Sequence, residues 1–517
     1  MTVRKQQEVK TIKVAIIGTG LAGLSSAYLL EKSNIIHSAS KDSPVNFEVH
    51  LFEKNASIGM DASSITVATT GDQDIRYYSH LVKLYNHLGV ISKPARFSFG
   101  WYRIHGFLPK DLASENVANY TQNTSYLCYS GSRTIGVIDS PQNVDAAAQW
   151  WLFYKIWHSI WVVAIVGISY LRLMLFCLWY NYRGHFSNTS HPVTRLTLGQ
   201  WFNYAKIHPY FAHEVFIPLF AAVCTNRWQS MLNYPASDVL QYMAKGLFQE
   251  SYVVTHGVRE VVRRLVAPVS KKHIGIHIQK IRPSSDSNFL YALEDDKGQI
   301  YKCHHVIFAT QANQARKILE TSSQGDAFLD GLLAQISSLK KFKYETSLVI
   351  NHTDIRLLPS DKRHWRTLNL AQIDATVDPN PRNDCQFIVP TPHDTTMTTH
   401  IINWTNSKLS NQQPSPAIFL QTTNPCISPD PKKILSVSWF ERATVTLESQ
   451  KAIKEDLFPM KQNKISPGPC QGGNNIWFVG SYCWYGIPLL EGCVASSEQV
   501  VVNGIGAHEN VEIKVPW

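Results

Sequence analysis

At 517 residues, with 44% hydrophobic and 17% charged side chains, the chain is too long for one compact core and too apolar for global disorder, and it suits two or three domains. Its formal net charge of +10 comes without a long Lys/Arg run or a nucleic-acid motif, which argues against nucleic acid and leaves an anionic cofactor or a lipid surface as partner. Nine scattered cysteines contain no CxxC pair; that argues against a disulfide framework and against a metal such as zinc, and a reducing compartment is the simpler setting.

The polar opening MTVRKQQEVKTIK runs straight into VAIIG, which reads as a buried core strand and not as a signal peptide. Residues 14–30, VAIIGTGLAGLSSAYLL, place Gly18, Gly20 and Gly23 as G-x-G-x-x-G between a short apolar strand and a helix. Gly18 permits the tight turn, Gly20 lets the backbone approach a pyrophosphate, and Gly23 lets helix and strand pack closely. The unpaired N–H groups and positive dipole end of the helix face the phosphates. The next strand, FEVHLFEK (47–54), ends in Glu53, where a carboxylate accepts hydrogen bonds from a ribose diol. The gap to it is longer than the usual ~20 residues; the polar stretch 33–46 reads as a surface insertion. The bland reading of Glu53 is a solvated carboxylate.

Residues 72–250 read as mostly helical. Within them, SIWVVAIVGISYLRLMLFCLWY (159–180) carries one charge, Arg172, and Trp or Tyr at both flanks, a length and composition suited to a bilayer. A single crossing would separate the glycine turn from the later segments that complete its fold, and FIPLFAAVC (216–224) is too short to return the chain. The favoured reading is therefore a helix that lies in a membrane face, or dips in and returns, with a buried helix and a true span as alternatives.

Further on, GVREVVRRL (257–265) reads as a helix whose Arg259, Arg263 and Arg264 form a solvated face. HHVIFATQANQARKIL (304–319) is a buried strand followed by a helix; His304 and His305 point to opposite faces of it and are poorly placed to chelate one metal. Residues 336–450 are rich in strand-like runs. His352 and Asp354 share a strand face there, as a structural hydrogen-bonded pair or, less favoured, an acid–base pair. Near the far end, IWFVG stops at Gly480, GIPLL is a loop, and EGCVASSEQVV starts a helix. The tail after Asn503 reads as poorly structured. Cys470 and Cys483 read as buried thiols.

Taken together, VAIIGTGLAGLSSAYLL, VHLFEKNASIG, YYSHLVKLYNHLGV, FIPLFAAVCTN, VIFATQANQA, VINHTDIRLLPSDKRHW, TTNP and GIPLLEGC, in that order, resemble the FAD-binding amine-oxidase/phytoene-desaturase superfamily. Within it the chain is most similar to predicted NAD/FAD-binding oxidoreductases related to the N-terminal oxidase part of plant cyclopropane fatty-acid synthases. The resemblance implies an α/β fold: a discontinuous Rossmann-type FAD-binding domain from residues 10–70, 255–335 and 470–505, with an α+β substrate domain from a helical, membrane-contacting part (72–250) and a β-rich part (336–469). It implies FAD contacts from Gly18, Gly20, Leu21, Ala22, Gly23, Glu53, Lys54, Gly59, Thr310, Gly480, Leu490 and Glu491, and a substrate cage that includes Trp484 and Tyr485, for which core packing is the alternative. The chain departs from the superfamily pattern at Met60, where a second glycine is usual, at Asp61, where a basic residue is usual, and at Ser481, where an acid is frequent.

The expected activity is hydride acceptance from an apolar, lipid- or terpenoid-like small molecule, in oxidation, desaturation or isomerisation, a class that fits the aromatic content and the membrane-seeking stretch; an amine substrate has the family name alone behind it. The redox chemistry resides on the cofactor, so no catalytic side chain is assigned. The expected setting is membrane-associated and cytosol-facing, with 159–180 at the membrane surface. Two alternatives stay open: a non-catalytic, membrane-associated binding or scaffold protein that keeps the fold, motivated by Met60 and Asp61, and an NAD(P)-only dehydrogenase.

Overall fold

Five strands from remote stretches of the chain meet in one parallel sheet. Its strands are Lys10–Ile17 (β1), Val45–Glu53 (β2), Lys271–Ile274 (β3), His305–Phe308 (β4) and Ile476–Phe478 (β5). The order is β5-β4-β1-β2-β3 and every pairing is parallel. Residues of β4 and β5 are buried throughout, as expected of parallel strands covered on both faces and written as unbroken apolar runs. Helices Leu21–Ser40 (α1), Ser79–His87 (α2), Val258–Val266 (α3) and Leu490–Glu498 (α4) accompany the sheet. α1 runs through Ser40, so the first part of the polar stretch 33–46 extends the helix; no Gly or Pro interrupts it before Pro44.

This computed structural model describes residues 10–40, 45–59, 67–68, 78–95, 97–107, 121–129, 135–136, 149–246, 251–322, 332–374, 394–402, 418–462 and 464–517. The chain forms two units. Met1–Ala95, Gln241–Lys343 and Val445–Trp517 make the first, which holds the parallel sheet; Arg96–Leu240 and Tyr344–Thr444 make the second.

The tail after Asn503 is ordered, contrary to the expectation from sequence. Val511 and Ile513 are buried. The Glu509 carboxylate accepts from Lys10 Nζ at 2.9 Å and lies 2.9 Å from Nε2 of the fully buried His305, at the start of β4. The indole N–H of Trp477 donates to His305 Nδ1 at 3.2 Å, so the proton of a neutral His305 sits on Nε2 and points at Glu509. The buried environment holds His305 below its ordinary pKa, and the hydrogen bond from His305 holds Glu509 below the usual carboxylate range. His304, by contrast, turns its Nδ1 to the Lys13 backbone N–H at 2.8 Å.

The second unit is built on an eight-stranded sheet, ordered Ile434–Thr444, Lys343–His352, Leu420–Thr423, Met397–Ile401, Leu368–Ile373, Phe99–Phe107, Thr121–Tyr129, Ile135–Gly136. The stretch 72–250 thus supplies strands as well as helices. Phe99–Phe107 pairs parallel with Leu368–Ile373, a long-range partner that local periodicity does not reveal. His352 and Asp354 are fully buried in this unit. His352 Nδ1 accepts from the Asp354 N–H at 3.0 Å and its Nε2 lies 2.8 Å from Thr422 Oγ1. Asp354 holds Arg356 through both oxygens. Every polar atom of this pair is committed, which makes it a structural network.

Helix Gln149–Tyr182 also belongs to the second unit. Its segment Ile160–Tyr182 is, among the described residues, the one helix long and apolar enough to cross a membrane.

Candidate functional site at the carboxyl edge of the parallel sheet

Three backbone hydrogen bonds tie the carboxyl ends of four strands together. The Gly18 N–H donates to Phe52 O, the Ala309 N–H to Ile17 O, and the Val479 N–H to Phe308 O, at 2.9, 2.9 and 3.0 Å. The glycine turn, the end of β2, Ala309–Thr310 and Gly480 therefore share one edge of one sheet. β1 is flanked by β2 on one side and β4 on the other, the arrangement at which open α/β sheets leave a ligand crevice.

The glycines of the turn are there for three separate reasons. Gly18 has φ +107°, and a Cβ on it would lie 2.7 Å from Ala309 O. A Cβ on Gly23 would lie 2.0 Å from Gly18 O and 3.0 Å from the Ala309 methyl, so α1 reaches the turn only without a side chain here. A Cβ on Gly20 would meet no atom within 4 Å; the space over the turn is open, as a cradle for a bulky anion requires. Leu21 and Ala22 are buried at the start of α1.

Glu53 is buried at the end of β2, not solvated. Its Oε2 accepts from the Thr19 N–H at 3.2 Å and from the Thr19 hydroxyl, and its Oε1 accepts from the Asn55 N–H at 2.8 Å. The Gly59 N–H donates to Thr19 Oγ1 at 3.2 Å. Thr19 thus clasps the carboxylate to the turn and draws the Gly59 loop to the same place. A carboxylate has about four lone-pair sites, and three are filled, leaving room for a ligand hydroxyl. Lys54 is exposed. Met60 and Asp61 lie outside the described residues.

On the other side of the edge, Gly480 has φ +152° and its N–H donates to Ser496 Oγ at 3.0 Å. The Ser497 hydroxyl donates to Ala22 O at 2.8 Å, docking α4 on the first turn of α1. Thr310, at the end of β4, is half-buried. Leu490 begins α4. Glu491 follows it, but its carboxylate turns to α2: it accepts from the Ser79 hydroxyl at 3.2 Å and from the His80 and Leu81 N–H groups at 3.0 Å each. It caps α2, so any contact with a ligand at the edge falls to the α4 backbone. Burial raises the Glu491 carboxyl pKa against these bonds.

Two more titratable groups lie here, and the sequence offered no pattern for them. Burial lowers the pKa of the Lys245 ammonium, with Glu491 acting partly against it. Burial also opposes charge on His80, yet Glu498, 2.7 Å from its Nδ1, and Glu491 outweigh it and raise the pKa. Trp484 and Tyr485 are half-buried beside Phe458: the Trp484 and Phe458 rings are 5.1 Å apart, and the Tyr485 hydroxyl donates to Phe458 O at 2.5 Å. Burial pushes the Tyr485 hydroxyl to about 12 and the Cys493 thiol to about 12. Cys483 is fully buried with its thiol directed to Gly480 O at 3.2 Å, a protonated and unreactive setting.

The sequence profile described as an NAD(P)-binding Rossmann-like domain matches residues 16–90. No curated protein matches the chain. Among solved structures, wild-type putrescine oxidase bound to putrescine is similar at 12% identity over 96% of this chain and 99% of that one, with a TM-score of 0.51. An engineered double mutant of putrescine oxidase matches at 12% identity over 96% and 99% of the two chains, with a TM-score of 0.49. Cyclohexylamine oxidase from Brevibacterium oxydans matches at 10% identity over 96% and 99%, with a TM-score of 0.46. The chain shares its fold with wild-type putrescine oxidase. It is a mixed α/β chain with a Rossmann-like dinucleotide-binding unit, in the arrangement seen in putrescine oxidase.

Proposed function

We propose that the protein is an FAD-dependent oxidoreductase that accepts a hydride from an apolar, lipid- or terpenoid-like small molecule. One observation carries the cofactor assignment: a glycine turn with open space above Gly20, a buried Glu53, and the start of α4 all lie at one sheet edge. A mononucleotide needs only the first two; the third suits a long, two-headed cofactor. In this reading Gly20, Leu21, Ala22 and Gly23 seat the pyrophosphate through backbone N–H groups, and Gly18, whose own N–H is held by Phe52 O, shapes the turn beneath it. Glu53 takes a ribose hydroxyl, and Gly59 and Lys54 border that end. Thr310, Gly480, Leu490 and the backbone of Glu491 face the flavin end, where the positive pole of α4 favours negative charge. FAD would supply the hydride acceptor. Lys245 is the group best suited to hold or release a proton there, because burial disfavours its charge. Trp484 and Tyr485 offer aromatic surface to an apolar substrate.

Putrescine oxidase and cyclohexylamine oxidase are named for amines, and an amine is the competing substrate class. The apolar reading draws on the exposed apolar helix of the second unit and on the cytosol-facing membrane setting that this helix suggests. Purified protein tests both levels. The account expects a yellow preparation that releases FAD on denaturation and bleaches anaerobically with a lipid or terpenoid extract. Release of NAD(P), or a colourless protein that cannot be loaded with FAD, refutes the cofactor assignment. Bleaching by amines alone refutes the substrate class.

A further inference from the structure

Helix Gln149–Tyr182 presents two unlike faces. Val162, Val166, Ser169, Leu173, Cys177 and Tyr180 are buried, at spacings of three or four that mark one helical stripe. Phe176 meets the ring of Trp201 edge-on at 5.7 Å, and Trp161 meets His208 at 6.0 Å. The opposite face is exposed and apolar: Ile168 is 68% accessible, Leu171 60% and Leu175 59%, with Trp157, Trp179 and Tyr182 exposed towards its two ends. Large apolar side chains exposed side by side mark an interaction surface.

Chain topology excludes a single crossing by this helix. Val14, before it in sequence, pairs with His305, after it, in one sheet. A crossing would put sheet partners on opposite sides of a bilayer. The buried stripe adds a second objection, since one side of the helix is already occupied by protein.

Charge identifies the occupant of the free face. From Ala146 to His213 the sequence holds no Asp or Glu, while it holds Lys155, Arg172, Arg183, Arg195 and Lys206. Arg172, Arg183, Arg195 and Lys206 are exposed. The Arg172 and Arg183 guanidinium groups lie over the rings of Phe176 and Trp179, 5.9 and 5.3 Å from the centroids. A stretch of apolar side chains, aromatic rings and exposed cations that contains no carboxylate in its sequence matches the acyl boundary and phosphate layer of an anionic bilayer. A second copy would set like charges against each other.

Resting on the membrane setting proposed above, we infer that this helix lies in the plane of an anionic lipid bilayer, inserted by Ile168, Leu171 and Leu175 and held by a collar of Arg172, Arg183, Arg195 and Lys206. Flotation of the full chain with vesicles of phosphatidylcholine, or of phosphatidylcholine with phosphatidylserine, tests it. The expected result is binding to the anionic vesicles that weakens with salt and falls about fivefold for each collar cation replaced by Gln. Ile168→Asp with Leu175→Asp should abolish binding with the thermal midpoint unchanged, as both side chains are exposed. Wild-type protein gives an independent readout: acyl-brominated lipids should quench its tryptophan fluorescence, and Trp157→Phe with Trp179→Phe, the two indoles of the free face, should remove most of that quenching. Equal, salt-independent binding to both vesicles overturns the anionic assignment alone. Failure to bind either overturns the membrane setting as well, as does a lipid-independent dimer that Ile168→Asp dissociates.

Discussion

The Ser497 hydroxyl donates to the Ala22 carbonyl at 2.8 Å across 475 residues of sequence, and so pins the last helix of the parallel-sheet unit to its first. Ala22 is in the glycine turn's own helix. The contact makes the seat for a pyrophosphate and the start of α4 two parts of one rigid edge. Ser497→Ala removes one hydrogen bond worth about 1 kcal/mol. The expected outcome is a small loss of thermal stability and a larger loss of cofactor retention, measured on the same preparation by melting and by released FAD.

Gly20 and Gly23 separate binding from folding. Gly23→Ala puts a methyl 2.0 Å from Gly18 O, and overpacking of this kind costs about 1–3 kcal/mol. Gly20→Ala puts its methyl in open space. It should melt as the wild type does while its affinity for FAD falls at least about tenfold, because the methyl occupies the phosphate position. Equal FAD affinity in Gly20→Ala and wild type would remove the phosphate role.

Glu53→Gln keeps the shape of the side chain and removes its charge. Hydrogen bonds to charged groups are worth about 1.5–3 kcal/mol, so FAD affinity should drop by about ten- to a hundredfold in equilibrium titration. Glu491→Ala should act differently. It uncaps α2 at a cost of about 1–2 kcal/mol, and what cofactor binding it loses should track that instability.

His352 makes the fold acid-sensitive. Burial holds its pKa at about 4, below the ordinary 6.5, so the folded state resists protonation. The stability this supplies is complete above pH 6.5 and is lost as pH falls towards 4, by up to about 3 kcal/mol at ~1.4 kcal/mol per unit. Glu509 adds a loss that begins below about pH 4.5, since its folded pKa is depressed from 4.5. Melting curves from pH 7 to 4 should fall steadily, and His352→Gln should flatten the upper part of that fall while lowering stability at pH 7.

Lys245→Met tests the proton-holding role. It should retain FAD yet lose one limb of the pH–rate profile, because the neutral form that burial favours would be absent. An unchanged profile assigns Lys245 to packing alone.

Much of the first unit was legible in sequence because parallel strands declare themselves as unbroken apolar runs. VAIIG, VIFA and IWFV each became a strand of one sheet, and the three glycines of the turn have the conformations and contacts their spacing demanded. What escaped depends on partners remote in sequence. Glu509 anchors the tail only because Lys10 and His305 lie opposite it, and no local pattern marks that. The strand Phe99–Phe107 exists because Leu368–Ile373 stands beside it. Glu491 falls where a cofactor contact was expected, yet sequence carries no information on side-chain direction, and the N-terminus of α2 claims its carboxylate. Thr19, between two of the glycines, proved as central as they are, because its hydroxyl joins Glu53 to Gly59.

The most direct test is an experimental structure of the protein loaded with FAD. The pyrophosphate should lie over Gly18–Gly23, the adenosine ribose at Glu53, and the ring system against Gly480 and the first turn of α4. Density confined to the glycine turn, with the Gly480–Glu491 segment untouched by ligand, would contradict it.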